Sequence, residues 1–164
     1  PFSPKLLDAL GDTRLVLVLD QVTDPHNVGA ILRSAVAFGA GALITTARHS
    51  PNESGVLAKS ASGALEHIDH IEVRNLSEAL TTLAKSGFQT IGLDSEGPAV
   101  LEKSFSGDKI ALVLGAEGKG LRQKTRETVD TLARLDMPGA IKSLNVSNAA
   151  AISLYAAGGY LGTE

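Results

Sequence analysis

The chain has 164 residues, with 15 Lys+Arg against 18 Asp+Glu, four His, no Cys and a formal net charge of −3 at pH 7. The absence of Cys excludes disulfides, thiolate metal centres, iron–sulfur clusters and a Cys nucleophile, while 43% hydrophobic and 20% charged residues describe a globular domain and not a disordered chain. The acidic balance speaks at first sight against a nucleic-acid partner, whose usual footprint is a basic stripe.

The start, PFSPKLLDAL, lacks the basic-then-apolar layout of a signal peptide, and no apolar run approaches the roughly 20 residues that cross a bilayer. A soluble, cytoplasmic protein is expected. Residues 1–13 read as an N-terminal extension or the end of a linker, before a domain over 14–164. Residues 15–19 (LVLVL) form a short continuous apolar run ending at Asp20, the pattern of a strand covered on both faces. The turn DPHN follows, with Asn27 as expected cap of a helix through VGAILRSAVAFGA that Gly39 and Gly41 stop. ALITT, residues 42–46, reads as the next strand, then comes a polar stretch rich in Ser and Asn, and IDHIEV, residues 68–73, alternates as a strand does.

Leu76, Ala79, Leu80 and Leu83 fall at helical spacing behind the cap Asn75, and Gly87 closes that segment. Strands are expected over 88–93 and 110–114, separated by a loop with Gly97 and Pro98. A helix is expected over RQKTRETVD, a last strand over 132–137 and a last helix over 145–155. Strands alternating with helices, with apolar strand interiors, predict an open α/β fold around a largely parallel sheet.

In such sheets ligands bind beyond the carboxyl ends of the strands, and three segments of unusual composition fall at such places. In DPHNVGAILRSA, residues 24–35, a helix start with Asn27 and Gly29 offers N–H groups to an anion, and Arg33 shares its flank with the small residues Gly29, Ala30 and Ala37. A surface Arg paired with a carboxylate and a plain cap are the bland alternatives. GAEGKG, residues 115–120, follows a strand and lets a ligand approach the backbone closely, with Glu117 between glycines, but matches neither the nucleoside triphosphate nor the dinucleotide fingerprint. In residues 137–155, Ser143, Asn145, Ser147 and Asn148 precede an Ala run, suiting a helix start and close packing of another backbone, such as that of a second subunit. His67, Asp69 and His70 read as solvated polar residues and no metal is expected.

Taken together and in this order, the three segments resemble the three motifs of the SpoU (TrmH-like) family of ribose 2′-O-methyltransferases, within the SPOUT superfamily. Asp24-Pro25, Asn27, Gly29 and Arg33 match the first, Gly115-Ala116-Glu117-Gly118 and Gly120 the second, and Ser143-Leu144-Asn145-Val146-Ser147 the third. KSASGALEH, residues 59–67, also looks like the segment between the first two motifs. The similarity spans about residues 14–157 and is strongest to enzymes that methylate a guanosine ribose in 23S ribosomal RNA.

The resemblance implies a SPOUT-type parallel sheet flanked by helices with a C-terminal trefoil knot, a homodimer, and S-adenosylmethionine bound at the knot without a metal. By position it implies that Gly115, Leu135, Met137 and Leu144 line the donor site, that Arg33 is the central catalytic residue, and that Asn27, Glu117 and Asn145 act around it. The chain departs from the family where Leu135-Asp136-Met137 and Pro138 stand in place of the common Ile-Pro-Met. A guanidinium keeps its proton at neutral pH and is a poor base, so Arg33 is expected to grip a phosphate and orient the hydroxyl while phosphate or water takes the proton. Lys119, Arg122, Lys124 and Arg126, packed behind the glycine loop, form the expected RNA-binding face, and answer the objection from net charge, which averages over a whole surface. Relatives of this kind often carry a separate N-terminal RNA-binding domain, so the chain is read as the catalytic part of a longer protein with weak RNA affinity of its own. The competing readings are methylation of tRNA, a non-catalytic RNA-binding protein of the same fold, and a nucleotide-binding α/β enzyme using GAEGKG as a phosphate loop.

Overall fold

In the computed structural model, which describes residues 4–46, 59, 61 and 63–162, the apolar runs become the middle of a seven-stranded sheet. The strands are β1 (Leu15–Asp20), β2 (Ala42–Thr46), β3 (Asp69–Val73), β4 (Gln89–Leu93), β5 (Ala99–Val100), β6 (Ile110–Gly115) and β7 (Thr131–Arg134). Their order is β3-β2-β1-β6-β4-β7-β5, and every pair is parallel.

All six residues of β1 are buried because both faces of the sheet are covered. Successive side chains on a strand point to opposite faces. Leu15, Leu17 and Leu19 accordingly enter one core with Ile31, Leu32, Ala150 and Leu154, while Val16 and Val18 enter another with Leu6, Leu10, Leu80 and Leu83. The first layer consists of α2 (Pro25–Ala37) and α5 (Val146–Gly162), the second of α1 (Pro4–Leu10), α3 (Leu76–Lys85) and α4 (Gln123–Thr128).

The helix caps follow local chemistry. Asn75 caps α3 as expected, its side chain accepting the Glu78 amide. At α2 the cap is Asp24 and not Asn27: the Asp24 carboxylate accepts the His26 amide, Pro25 takes the first helical position and Asn27 lies inside the helix. Proline's fixed φ and missing N–H suit that first position, which moves the start upstream of Asn27. The last strand stops at Arg134, short of the expected 137, and the last helix runs on to Gly162. Periodicity did not flag α1 or the two-residue β5, which are too short to show a period. The polar stretch after β2 lies outside the described residues, as do parts of KSASGALEH.

One crossing shapes the functional edge. β7 lies between β4 and β5, so the connection 94–98 passes over the end of β7. The Asp94 amide donates to the Ala133 carbonyl at 2.9 Å, and Arg134 Nη1 donates to the Gly97 carbonyl at 2.9 Å. A Cβ on Gly97 would lie 2.9 Å from backbone atoms of Ala133, so the crossing requires glycine there.

Candidate active site

Beyond the carboxyl ends of β4, β6 and β7 lies a cleft of about 520 Å³. Its walls are Leu93 at the end of β4, residues 94–96 of the crossing connection, residues 114–121 at the end of β6 and in the glycine loop, Arg126 from α4, Leu135, Met137, Ser143 and Leu144 from the chain leading into α5, and Val146 and Ala149 from the start of α5. The volume lies within the usual range for small-molecule sites, roughly 300–1,000 Å³.

The glycine loop is a tight turn. Ala116 and Gly120 form an antiparallel bridge, the Gly120 amide donates to the Ala116 carbonyl at 2.7 Å, and Gly118 and Gly120 take φ of 83° and 68°, which favours residues without Cβ. A Cβ on Gly115 would lie 2.2 Å from the Gly120 carbonyl carbon. The backbone of β6 can therefore meet the returning loop only if residue 115 is glycine.

Two ion pairs hold this loop to the sheet. The Asp20 carboxylate, fully buried at the end of β1 and beside Gly115 in register, accepts the Arg122 amide at 2.8 Å and Arg122 Nε at 2.6 Å. On the cleft wall Arg126 Nη1 pairs with Asp94 Oδ2 at 2.5 Å. Burial raises the Asp94 pKa, but the Glu96 amide and the Arg126 guanidinium outweigh it and hold the carboxyl below the ordinary aspartate range. The second and third segments meet where Asn145 Nδ2 donates to Glu117 Oε2 at 3.2 Å. Asn145 Oδ1 in turn accepts the Ser147 amide at 2.8 Å, opening α5.

A family model of the SpoU rRNA methylase family matches residues 14–155. The chain belongs to that family. It is 46% identical over 153 residues to the 23S rRNA (guanosine-2′-O-)-methyltransferase RlmB of Ralstonia nicotianae, covering 93% of this chain and 61% of that protein. Among solved structures it resembles an AdoMet-bound rRNA methyltransferase from Sinorhizobium meliloti, with TM-score 0.83, 26% identity, and coverage of 98% of this chain and 62% of the other. It also resembles the SpoU methyltransferase AviRb of Streptomyces viridochromogenes in complex with AdoMet, with TM-score 0.81, 26% identity, and coverage of 94% and 61%. The chain thus spans about three fifths of the length of these relatives.

In this SpoU chain the structure brings together most of the expected site. Gly115, Leu135, Met137 and Leu144 all line the cleft, with Glu117, Lys119 and Arg126. Asp136, where the chain departs from the family, turns away to meet Arg134 Nε at 2.9 Å and is exposed, while Leu135 and Met137 on either side reach the cleft. Arg33 and Asn27 are not among the lining residues. Arg33 sits in the third turn of α2, exposed, and not at the helix N-terminus. Of the expected RNA-binding residues, Arg122 and Arg126 are held by carboxylates, and Lys119 and Lys124 are exposed. His70 Nε2 hydrogen-bonds Thr45 Oγ1 at 2.8 Å.

Sequence reasoning missed Asp20 and Asp94. The available signal for Asp20 was a carboxylate continuing a run that is apolar on both faces, a position that only a paired charge tolerates. Asp94 gave no such signal, because its partner Arg126 is distant in sequence.

Proposed function

We propose that this chain is the methyl-transfer domain of an enzyme that methylates the ribose 2′-hydroxyl of a guanosine in 23S ribosomal RNA, with S-adenosylmethionine as donor. The observation that carries the reading is the convergence of the second and third motif segments on one cleft of about 520 Å³ at the sheet's carboxyl edge. The matched relatives are named for this activity.

The cleft suits the donor in chemistry as well as size. Leu93, Leu135, Met137 and Leu144 offer apolar surface, the glycine loop offers close backbone approach, and Asp94, Glu96 and Arg126 supply charges of both signs for a zwitterionic amino-acid end. When bound, the donor supplies an electrophilic methyl group on a sulfonium centre. The chain's own task is then to hold the ribose hydroxyl in line and to ease loss of its proton, and alignment of that kind contributes several kcal/mol. Arg33 grips a backbone phosphate through its planar fork and orients the hydroxyl, Asn27 supports that flank of α2, and Glu117 with Asn145 positions the glycine loop toward the RNA. Lys119, Arg122, Lys124 and Arg126 bind RNA phosphates, the two arginines being already oriented by their carboxylates.

The reading includes a trefoil knot and a homodimer. The crossing of the 94–98 connection over β7 supports the first. For the second, α5 is apolar on nearly all sides, and its outer stripe of Asn148, Ile152, Tyr155 and Gly159 stays exposed, with Tyr155 edge-on to Phe38 at the end of α2. A helix apolar all round is ordinarily covered, so a second copy on this stripe is expected, bordered by the α2 segment that carries Arg33. Among the described residues no helix is long and apolar enough to cross a membrane, and an enzyme acting on ribosomal RNA belongs in the cytoplasm. The test incubates the protein with S-adenosylmethionine and unmodified ribosomal RNA or tRNA, then digests the RNA and identifies 2′-O-methylnucleosides by mass spectrometry. 2′-O-methylguanosine from ribosomal RNA is expected; product from tRNA alone overturns the substrate, and product from neither overturns the activity.

A further inference from the structure

The donor cleft occupies only one half of the sheet's carboxyl edge. On the other half, beyond β2 and β3, lies a groove of about 350 Å³ lined by Thr46, Arg74, Asn75, Ser77, Arg122 and Lys124. A second groove of about 300 Å³, which shares Ser77 and Lys124 with it, continues to Lys85 along the facing sides of α3 and α4. The two form one trough. Among the described residues four cations line it, Arg74, Lys85, Arg122 and Lys124, against the lining carboxylate Glu78 and the Asp20 carboxylate paired with Arg122, in a chain whose net charge is −3. Arg74, Lys85 and Lys124 are exposed. The Arg122 guanidinium is held in place by the buried Asp20, and the positive end of α3, capped by Asn75, opens on the same trough.

We propose that this trough carries the RNA backbone flanking the target nucleotide, with Arg74 and Lys85 contacting phosphates beyond those met by the segment after the glycine loop. The inference rests on the methyltransfer reading above. Position and charge select the occupant. The Arg74–Arg122 end of the trough and the cleft both open on the carboxyl edge and meet at the glycine loop, which enters the cleft at Gly115–Leu121 and the trough at Arg122, and the trough runs from there along α3 to Lys85 at its C-terminal end. A strand that presents its 2′-hydroxyl to the cleft therefore has neighbouring phosphates within reach of the trough. Segregating cations here also reconciles RNA binding with an acidic chain, because the local field and not the total charge acts on the ligand.

The test measures binding of a fluorescein-labelled single-stranded RNA 20-mer to the full chain by anisotropy over a salt series, for wild type, Arg74→Ala/Lys85→Ala and Arg74→Lys/Lys85→Arg. For the alanine pair, RNA Kd should rise about tenfold at low salt and the slope of log K against log salt should fall by about 1.4, the value for two single-strand phosphate contacts. The conservative pair should restore both, and S-adenosylmethionine affinity and Tm should match wild type throughout. An unchanged RNA Kd and slope would assign the trough to some other anionic partner and overturn the proposal. Loss of donor affinity in parallel with RNA affinity would also overturn it, since a phosphate contact would leave the cleft intact. These readouts need no turnover, so failure of the wild type to methylate RNA would strike the functional reading separately.

Discussion

Replacing Asp20 by Ala should be among the most costly single changes on the functional edge. The carboxylate is fully buried and serves two donors on Arg122, the amide at 2.8 Å and Nε at 2.6 Å. A buried ion pair broken on one side costs about 3–5 kcal/mol when the surviving charge stays buried. Here the Arg122 side chain is 40% exposed, so water takes over the guanidinium, and although both lost bonds are charge-assisted through the carboxylate, the cost lies at the lower end of that range, about 3 kcal/mol. Against a domain stability of about 5–15 kcal/mol, that lowers Tm by about 5–12 °C. Asp20→Asn keeps one acceptor oxygen and should lose about half as much. Thermal unfolding followed by circular dichroism measures the first quantity, and calorimetric titration with S-adenosylmethionine measures whether the glycine loop, released at Arg122, still shapes the cleft. Because a buried pair is poorly screened, the Tm deficit should persist at 0.5 M salt, where exposed pairs lose most of their effect. A Tm within 2 °C of wild type for Asp20→Ala would refute the view that this carboxylate anchors the loop.

Three further changes probe other parts of the site. Gly115→Ala drives a Cβ to 2.2 Å from the Gly120 carbonyl carbon; the loop must shift, at a cost of about 1–3 kcal/mol, and donor affinity measured by calorimetry should fall by at least an order of magnitude. Arg33→Lys should lower kcat/KM at least about tenfold, because an ammonium does not reproduce a bidentate fork, while donor affinity stays at the wild-type value since Arg33 lies outside the cleft lining; near-wild-type turnover would rule out orientation by the guanidinium. The Asp94 carboxyl is held below its ordinary range by the Glu96 amide and Arg126 against the opposing effect of burial, so the stability it contributes is complete above its unfolded pKa of about 3.9 and disappears as pH falls through the lower folded value. The Tm gap between wild type and Asp94→Asn should therefore be constant from about pH 5 to 8 and close toward pH 3; a gap that widens on acidification would show that the pairing is not what holds Asp94.

Much of the fold is legible in the chain because its signals are local. LVLVL and IALVL announce strands covered on both faces, and they become β1 and β6 at the centre of the sheet. Asn75 announces a cap by chemistry that reaches only three residues. Where two local signals compete, as Asp24-Pro25 and Asn27 do, the outcome depended on proline's fixed φ and shifted the helix start. The segments of the candidate site were visible through their composition and their resemblance to a family, and the cleft gathers the second and third of them.

What the sequence determined by itself is thus the alternation of strands and helices, the glycine loop and the family. Only the tertiary structure decided that β7 inserts between β4 and β5, which makes Gly97 obligatory beneath a crossing connection. It alone decided that Asp20 and Asp94 take Arg122 and Arg126, which fixes the position of two cations on the basic face and offsets part of their charge, and that Arg74 and Lys85 join Arg122 and Lys124 in a trough. The reason is range. Periodicity and capping act within a few residues, whereas an ion pair between residues 20 and 122 exists only after the sheet has set β1 beside β6.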